Sequence, residues 1–69
     1  MPESKLDKRF GSVAIEKGFI TIDNLYEAMK TQIFENLSGA IHRPIGQILW
    51  EKGFIDTEQI REVLKTMGI

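Results

Sequence analysis

The feature that most constrains this chain is an internal repeat. The pentapeptide EKGFI occurs at residues 16–20 and again at 51–55, which sets a period of 35 residues. Sliding the chain by this period also aligns Gly11 with Gly46, and apolar residues with apolar residues at several further positions. A period between about 20 and 50 residues is typical of tandem copies of one supersecondary unit.

We therefore predict two copies of a single unit, one over about residues 9–32 and the other over about 44–67. A connection over about residues 38–43 joins them. A chain of 69 residues forms one domain at most, so residues 1–69 are predicted to be a single domain.

Each unit is predicted to be a helix, a glycine stop and a second helix. Gly18 and Gly53 occupy the position after a helix where glycine enters the left-handed conformation without steric penalty. Thr21 is a predicted N-cap of the second helix, and Asp56 with Gln59 has the spacing of a capping box.

Apolar residues at helical spacing predict the buried face of each helix. These positions are Leu6, Phe10, Val13 and Ala14, then Ile22, Leu25, Met29 and Ile33, and finally Ile60, Val63, Leu64 and Met67. Ser4 and Asp7 suggest a capping box, Pro44 suits the first turn of a helix, and Trp50 falls at an apolar core position of the repeat. Without any sustained period-2 run, the predicted fold class is all-α, with two tandem helix-turn-helix hairpins forming a small four-helix domain.

Composition excludes several functions. The chain has no cysteine and a single histidine, His42 in the connection, so neither a metal centre nor catalysis is expected and the protein is predicted not to be an enzyme. The net charge of −1 and the acidic second helix argue against DNA or RNA binding. The N-terminal residues MPESKLDKRF lack a signal-peptide apolar region, and no stretch is long enough to span a membrane. The predicted location is therefore cytoplasmic, with no membrane insertion.

Two features allow both a binding and a structural interpretation. Arg9 precedes Phe10 and Gly11, so its guanidinium can stack on a planar ring or grip a guanine edge, while the glycine lets a ligand approach. Alternatively, Arg9 is solvated and Gly11 allows two helices to pack closely. Gln32 adjoins the apolar stripe and is either a ligand contact or a polar residue at the boundary of the core.

The first copy resembles a known motif that runs from arginine-leucine-glycine to a glutamine. The family is that of the MshEN domains, the amino-terminal domains of type II secretion and type IV pilus assembly ATPases. Phe10 stands where the motif has leucine. The matching residues are Arg9, Phe10, Gly11, Ile15, Gly18, Phe19, Ile20, Leu25, Met29 and Gln32.

In that family two such motifs bind cyclic-di-GMP, and the resemblance implies the same ligand and no other cofactor here. Arg9 would contact guanine or phosphate, Gln32 would hydrogen-bond a polar edge, and the glycines would admit the ligand. The ligand-binding residues implied in this way are Arg9, Phe10, Gly11, Ile15, Gln32, Arg43, Ile45 and Gly46. The implied function is a bacterial signalling domain that relays nucleotide binding to a protein partner.

The second copy departs from the motif at its polar positions. Pro44 takes the place of the arginine, with Arg43 one residue early, and Met67 replaces the final glutamine. An alternative prediction is therefore a degenerate helical protein-interaction module, with Trp50, Tyr26 or Phe34 as aromatic anchors. A homodimer is a third possibility, since two first motifs would match the two-fold symmetry of the ligand.

Overall fold

The two repeats fold into helix pairs separated by tight glycine turns. A computed structural model describes residues 5–39 and 43–68, and within these ranges it contains four helices and no strand. These are α1 (Lys5–Glu16), α2 (Ile22–Leu37), α3 (Ile45–Glu51) and α4 (Thr57–Met67). The predicted all-α class of a small four-helix domain is confirmed. Ser4 and His42 lie outside the described residues, and so does one end of the predicted Ser4–Asp7 capping box.

The turn after the first helix of each repeat is built in the same way. Gly18 and Gly53 adopt φ angles of 77° and 82°, a conformation that side chains with a β-carbon disfavour. The N–H of the following phenylalanine donates to a carbonyl five residues earlier, from Phe19 to Ala14 at 2.9 Å and from Phe54 to Leu49 at 3.0 Å. This is the Schellman bond that satisfies the last carbonyls of a helix. The predicted glycine stops are confirmed.

The second helix of each repeat begins with a reciprocal cap. The N–H of Asn24 donates to Thr21 Oγ1 at 3.1 Å, and the N–H of Thr21 donates back to Asn24 Oδ1 at 3.0 Å. In the second repeat the N–H of Gln59 donates to Asp56 Oδ1 at 2.8 Å, and the return bond is 3.1 Å long. Both predicted N-caps are confirmed. They could be predicted from the sequence because capping depends only on residues three positions apart. Pro44 lies one position before the first turn of α3, as its N-cap.

The closest helix pairs all join one repeat to the other. Helix α1 packs against α4 and α3, and α2 packs against α3. The seven-residue α3 therefore lies in the middle of the fold. The buried apolar residues are Phe10, Ala14, Ile20, Ala28, Ile45, Ile48, Leu49, Ile55, Val63 and Met67.

The predicted buried face is correct for α4 but wrong in part for α1 and α2. Leu6 is exposed, and Ile22 and Ile33 leave 56% and 52% of their surface open to solvent. Helix α2 instead buries Ala28 and Gln32, with Leu25 and Met29 partly buried beside them. Relative to the prediction, α2 is therefore rotated about its own axis. Apolar residues cover a wider arc of α2 than the short α3 can contact, so only part of that arc is buried.

Candidate functional site

A buried polar network connects α1, α2 and the start of α3. Gln32, only 4% exposed, donates from Nε2 to Asp7 Oδ2 and to the backbone oxygen of Arg43, both at 2.9 Å. The backbone N–H of Ile45 donates to Asp7 Oδ1 at 3.2 Å. Both amide hydrogens of Gln32 therefore have acceptors inside the protein.

Asp7 acts as a tertiary cap for α3, a role that the sequence analysis missed. Pro44, the N-cap residue of α3, makes no side-chain cap hydrogen bond, and Ile45 is the first residue of the helix. The carboxylate of Asp7 supplies the missing acceptor from 38 positions away. A signal was present in the sequence, since a helix that begins after proline without a capping side chain needs another partner for its first N–H groups.

Arg43 is held by two carboxylates. With Glu35 it forms a bidentate pair, in which Nε donates to Oε1 at 3.1 Å and Nη2 donates to Oε2 at 2.7 Å. Its Nη1 forms an ion pair with Glu51. The hydrogen bonds from Arg43 lower the pKa of Glu35, and the same bonds raise the pKa of Arg43. The guanidinium that the resemblance places near a nucleotide is thus engaged within the protein.

The two motif glycines lie against side chains of neighbouring helices. A β-carbon on Gly11 would come within 2.9 Å of the Leu25 methyl groups, and one on Gly46 within 2.9 Å of Phe10 Cζ. Of the two interpretations of Gly11, close helix packing is the one that this contact supports. Phe10 and Ile45 are core residues, and Ile15 is partly buried against the core.

Arg9 differs from the other motif residues because its side chain is exposed. The guanidinium of Arg9 makes no ion pair or hydrogen bond with the part of the chain that the structure describes. Gln32 and Ile45 line a cleft of about 350 Å³ between α1 and α2, whereas Arg9 does not line it. The structure therefore does not bring Arg9 and Gln32 into one groove.

A larger apolar groove lies between α1, α3 and α4, with a volume of about 740 Å³. Phe10 and Gly46 contribute to its lining, as do Leu6 and Trp50, which are 58% and 48% exposed. The prediction that Trp50 is a core residue is wrong, because its ring lies at this open groove. Other lining residues are Asp7, Pro44, Gln47, Thr57, Ile60, Leu64 and Met67.

Residues 5–39 and 43–68 contain neither a metal site nor a membrane-spanning helix. No group of His, Cys, Asp or Glu in these ranges has the geometry of a metal site. None of the helices in the same ranges has the length and hydropathy of a membrane span.

Comparisons of the chain with protein-family models, with curated proteins and with solved structures gave no significant match. The resemblance to MshEN domains therefore depends on the motif residues alone.

Proposed function

We propose that this chain is a small cytoplasmic adaptor domain, without enzymatic activity, that binds an amphipathic helix of a protein partner. The observation that carries this proposal is the open apolar groove between α1, α3 and α4. An apolar helix face with residues at i, i+3, i+4 and i+7 is a common occupant of such grooves.

The chemistry of the groove fits this partner. Trp50 and Leu6 expose about half of their surface in it, and a partly exposed tryptophan is a frequent hot spot of protein interfaces. Gln47 and Thr57 are exposed polar residues of the same lining and provide hydrogen-bonding groups beside the apolar floor. The partner helix would pair its apolar face with the floor and its polar flank with these two residues.

Selection of binders from a random peptide library on the purified protein tests this function. We expect selected sequences to be amphipathic helices whose affinity falls about tenfold or more in Trp50→Ala, as for a hot-spot aromatic residue. Phe34→Ala is the matched control, because Phe34 is an exposed aromatic residue of α2 outside the groove. Peptides that bind Trp50→Ala as tightly as the native protein would contradict the proposal.

The second candidate function is binding of cyclic-di-GMP, as the motif resemblance implies. It is supported by Arg9, whose exposed side chain makes no ion pair or hydrogen bond within residues 5–39 and 43–68 and could therefore contact an anionic ligand. Gln32 and Arg43 would first have to release their internal hydrogen bonds. We therefore expect weaker binding than for a site in which all three side chains are free.

Calorimetric titration with cyclic-di-GMP tests the second candidate. Saturable heat that Arg9→Ala abolishes and Arg61→Ala retains would support it, since Arg61 is an exposed arginine of α4 outside the motif. NMR shifts at Gly11 and Gly46 would locate the ligand. Absence of heat at high micromolar nucleotide would exclude this function.

A further inference from the structure

Helix α2 has a second apolar face, of which Met29 alone packs against the rest of the described chain. Its members are Ile22, Tyr26, Met29 and Ile33, of which the first, second and fourth are exposed and Met29 is half-buried. At about 100° per residue these positions lie within an arc of about 60°. We call these four residues the α2 stripe.

The order of the α2 stripe along the helix is self-complementary. Successive members are separated by 4, 3 and 4 residues, the a/d spacing of a coiled coil, and the series is the same when the helix is reversed. In an antiparallel pair of α2 helices, Ile22 of one copy lies beside Ile33 of the other, and Tyr26 lies beside Met29. A two-fold axis relates such a pair, as in most homodimers.

Charges beside the α2 stripe favour the same arrangement. Asp23 and Lys30 are exposed and occupy equivalent flanking positions one heptad apart. Along one helix they are about 10 Å apart and do not pair. In the antiparallel register, Asp23 of each copy lies opposite Lys30 of the other, which gives two symmetric ion pairs.

We propose that the α2 stripe is the interface of a two-fold symmetric homodimer in which the α2 helices pack antiparallel. The interface is separate from the groove at Trp50, so each copy of the dimer keeps its groove open. A single helix pair of this length buries less than a standard interface of about 1,600 Å², so we expect a weak dimer in exchange with the monomer.

Sedimentation equilibrium of the full chain across the micromolar range tests the dimer. The native protein is expected to dimerise, and Ile33→Glu and Tyr26→Glu, two exposed members of the α2 stripe, are expected to be monomeric with unchanged helical circular dichroism. Two variants are used because a loss of folding in one of them would otherwise be mistaken for a loss of contact. Leu6→Glu is the control: Leu6 is an exposed leucine of α1, and this variant should dimerise like the native protein.

Charge reversal tests the orientation. Asp23→Lys and Lys30→Asp should each weaken dimerisation roughly 3- to 10-fold, because two attractions become two repulsions, and the double reversal should restore it. In a parallel pair the two residues stay apart, so the single reversals would not weaken the dimer. A monomeric native protein, a dimer that survives Ile33→Glu and Tyr26→Glu, or reversals without effect would each overturn the proposal.

Discussion

Gln32 and Asp7, 25 positions apart in the chain, are joined by a hydrogen bond of 2.9 Å inside the domain. The same two side chains also hold the backbone at Arg43 and Ile45, where the second repeat begins. This network therefore fixes the start of α3 against both helices of the first repeat.

Replacing Gln32 with alanine should lower the free energy of unfolding by about 1–3 kcal/mol, because the Asp7 carboxylate and the Arg43 carbonyl lose a buried donor. Urea unfolding followed by circular dichroism measures this change. The control is Gln47→Ala, which removes an exposed glutamine and should leave stability nearly unchanged. Equal effects of the two substitutions would show that the network does not stabilise the fold.

Alanine at Gly46 should be more destabilising than alanine at Gly11. The new methyl group at Gly46 meets the rigid ring of Phe10, an overpacking that costs about 1–3 kcal/mol. At Gly11 it meets the ends of the flexible Leu25 side chain, which can move aside. Both glycines lie in helices, so the gain in helix propensity of about 1 kcal/mol applies to both and does not change the order. Thermal unfolding of both variants checks the order, and Phe10→Leu should partly rescue Gly46→Ala.

The Arg43–Glu35 ion pair should make stability depend on pH in the acid range. Because hydrogen bonds from Arg43 lower the pKa of Glu35 below its usual 4.5, the pair stabilises the fold fully above that pH. The contribution is lost as the pH falls through the lowered pKa. Unfolding of the native protein and Glu35→Gln should therefore differ at neutral pH and converge in acid.

The matched control for this pH dependence is Glu27→Gln. Glu27 is an exposed carboxylate on the same helix that is not a partner of Arg43, so Glu27→Gln removes a charge and leaves the ion pair in place. A difference between the native protein and Glu35→Gln that stays constant from neutral to acid pH would rule out the ion pair as its cause.

Neither repeat should fold without the other. All the closest helix pairs join the two repeats, and a peptide of fewer than about 40 residues rarely forms a stable core alone. Peptides covering residues 1–39 and 43–69 should each show little helical circular dichroism, and an equimolar mixture should recover it. Cooperative unfolding of either peptide alone would contradict this.

Sequence-based prediction succeeded where short-range contacts decide the structure. The glycine turns at Gly18 and Gly53 and the caps at Thr21 and Asp56 depend on residues within five positions, and all four were predicted. The buried face of α4 was also predicted, because its apolar residues cover a single arc.

Prediction failed where the outcome depends on which helices meet. Helix α2 carries apolar residues on two adjacent arcs, and only packing against α3 decides that Ala28 is buried and Ile22 is exposed. The exposure of Trp50 likewise depends on how α1 is placed beside α3, and the contact of Gln32 with Asp7 depends on how α1 and α2 are each placed against α3. The candidate ligand site was therefore predicted as a set of residues but not as an arrangement in space.

The packing of each repeat mainly against the other repeat has an evolutionary consequence. When each helix of a unit takes its closest neighbours from the other copy, two separate single-repeat chains can form the same set of contacts around a two-fold axis. Duplication and fusion of such a self-associating ancestor would give this chain directly. Fused copies would be free to differ, and Arg9 and Pro44 occupy equivalent positions of the two repeats with different residues.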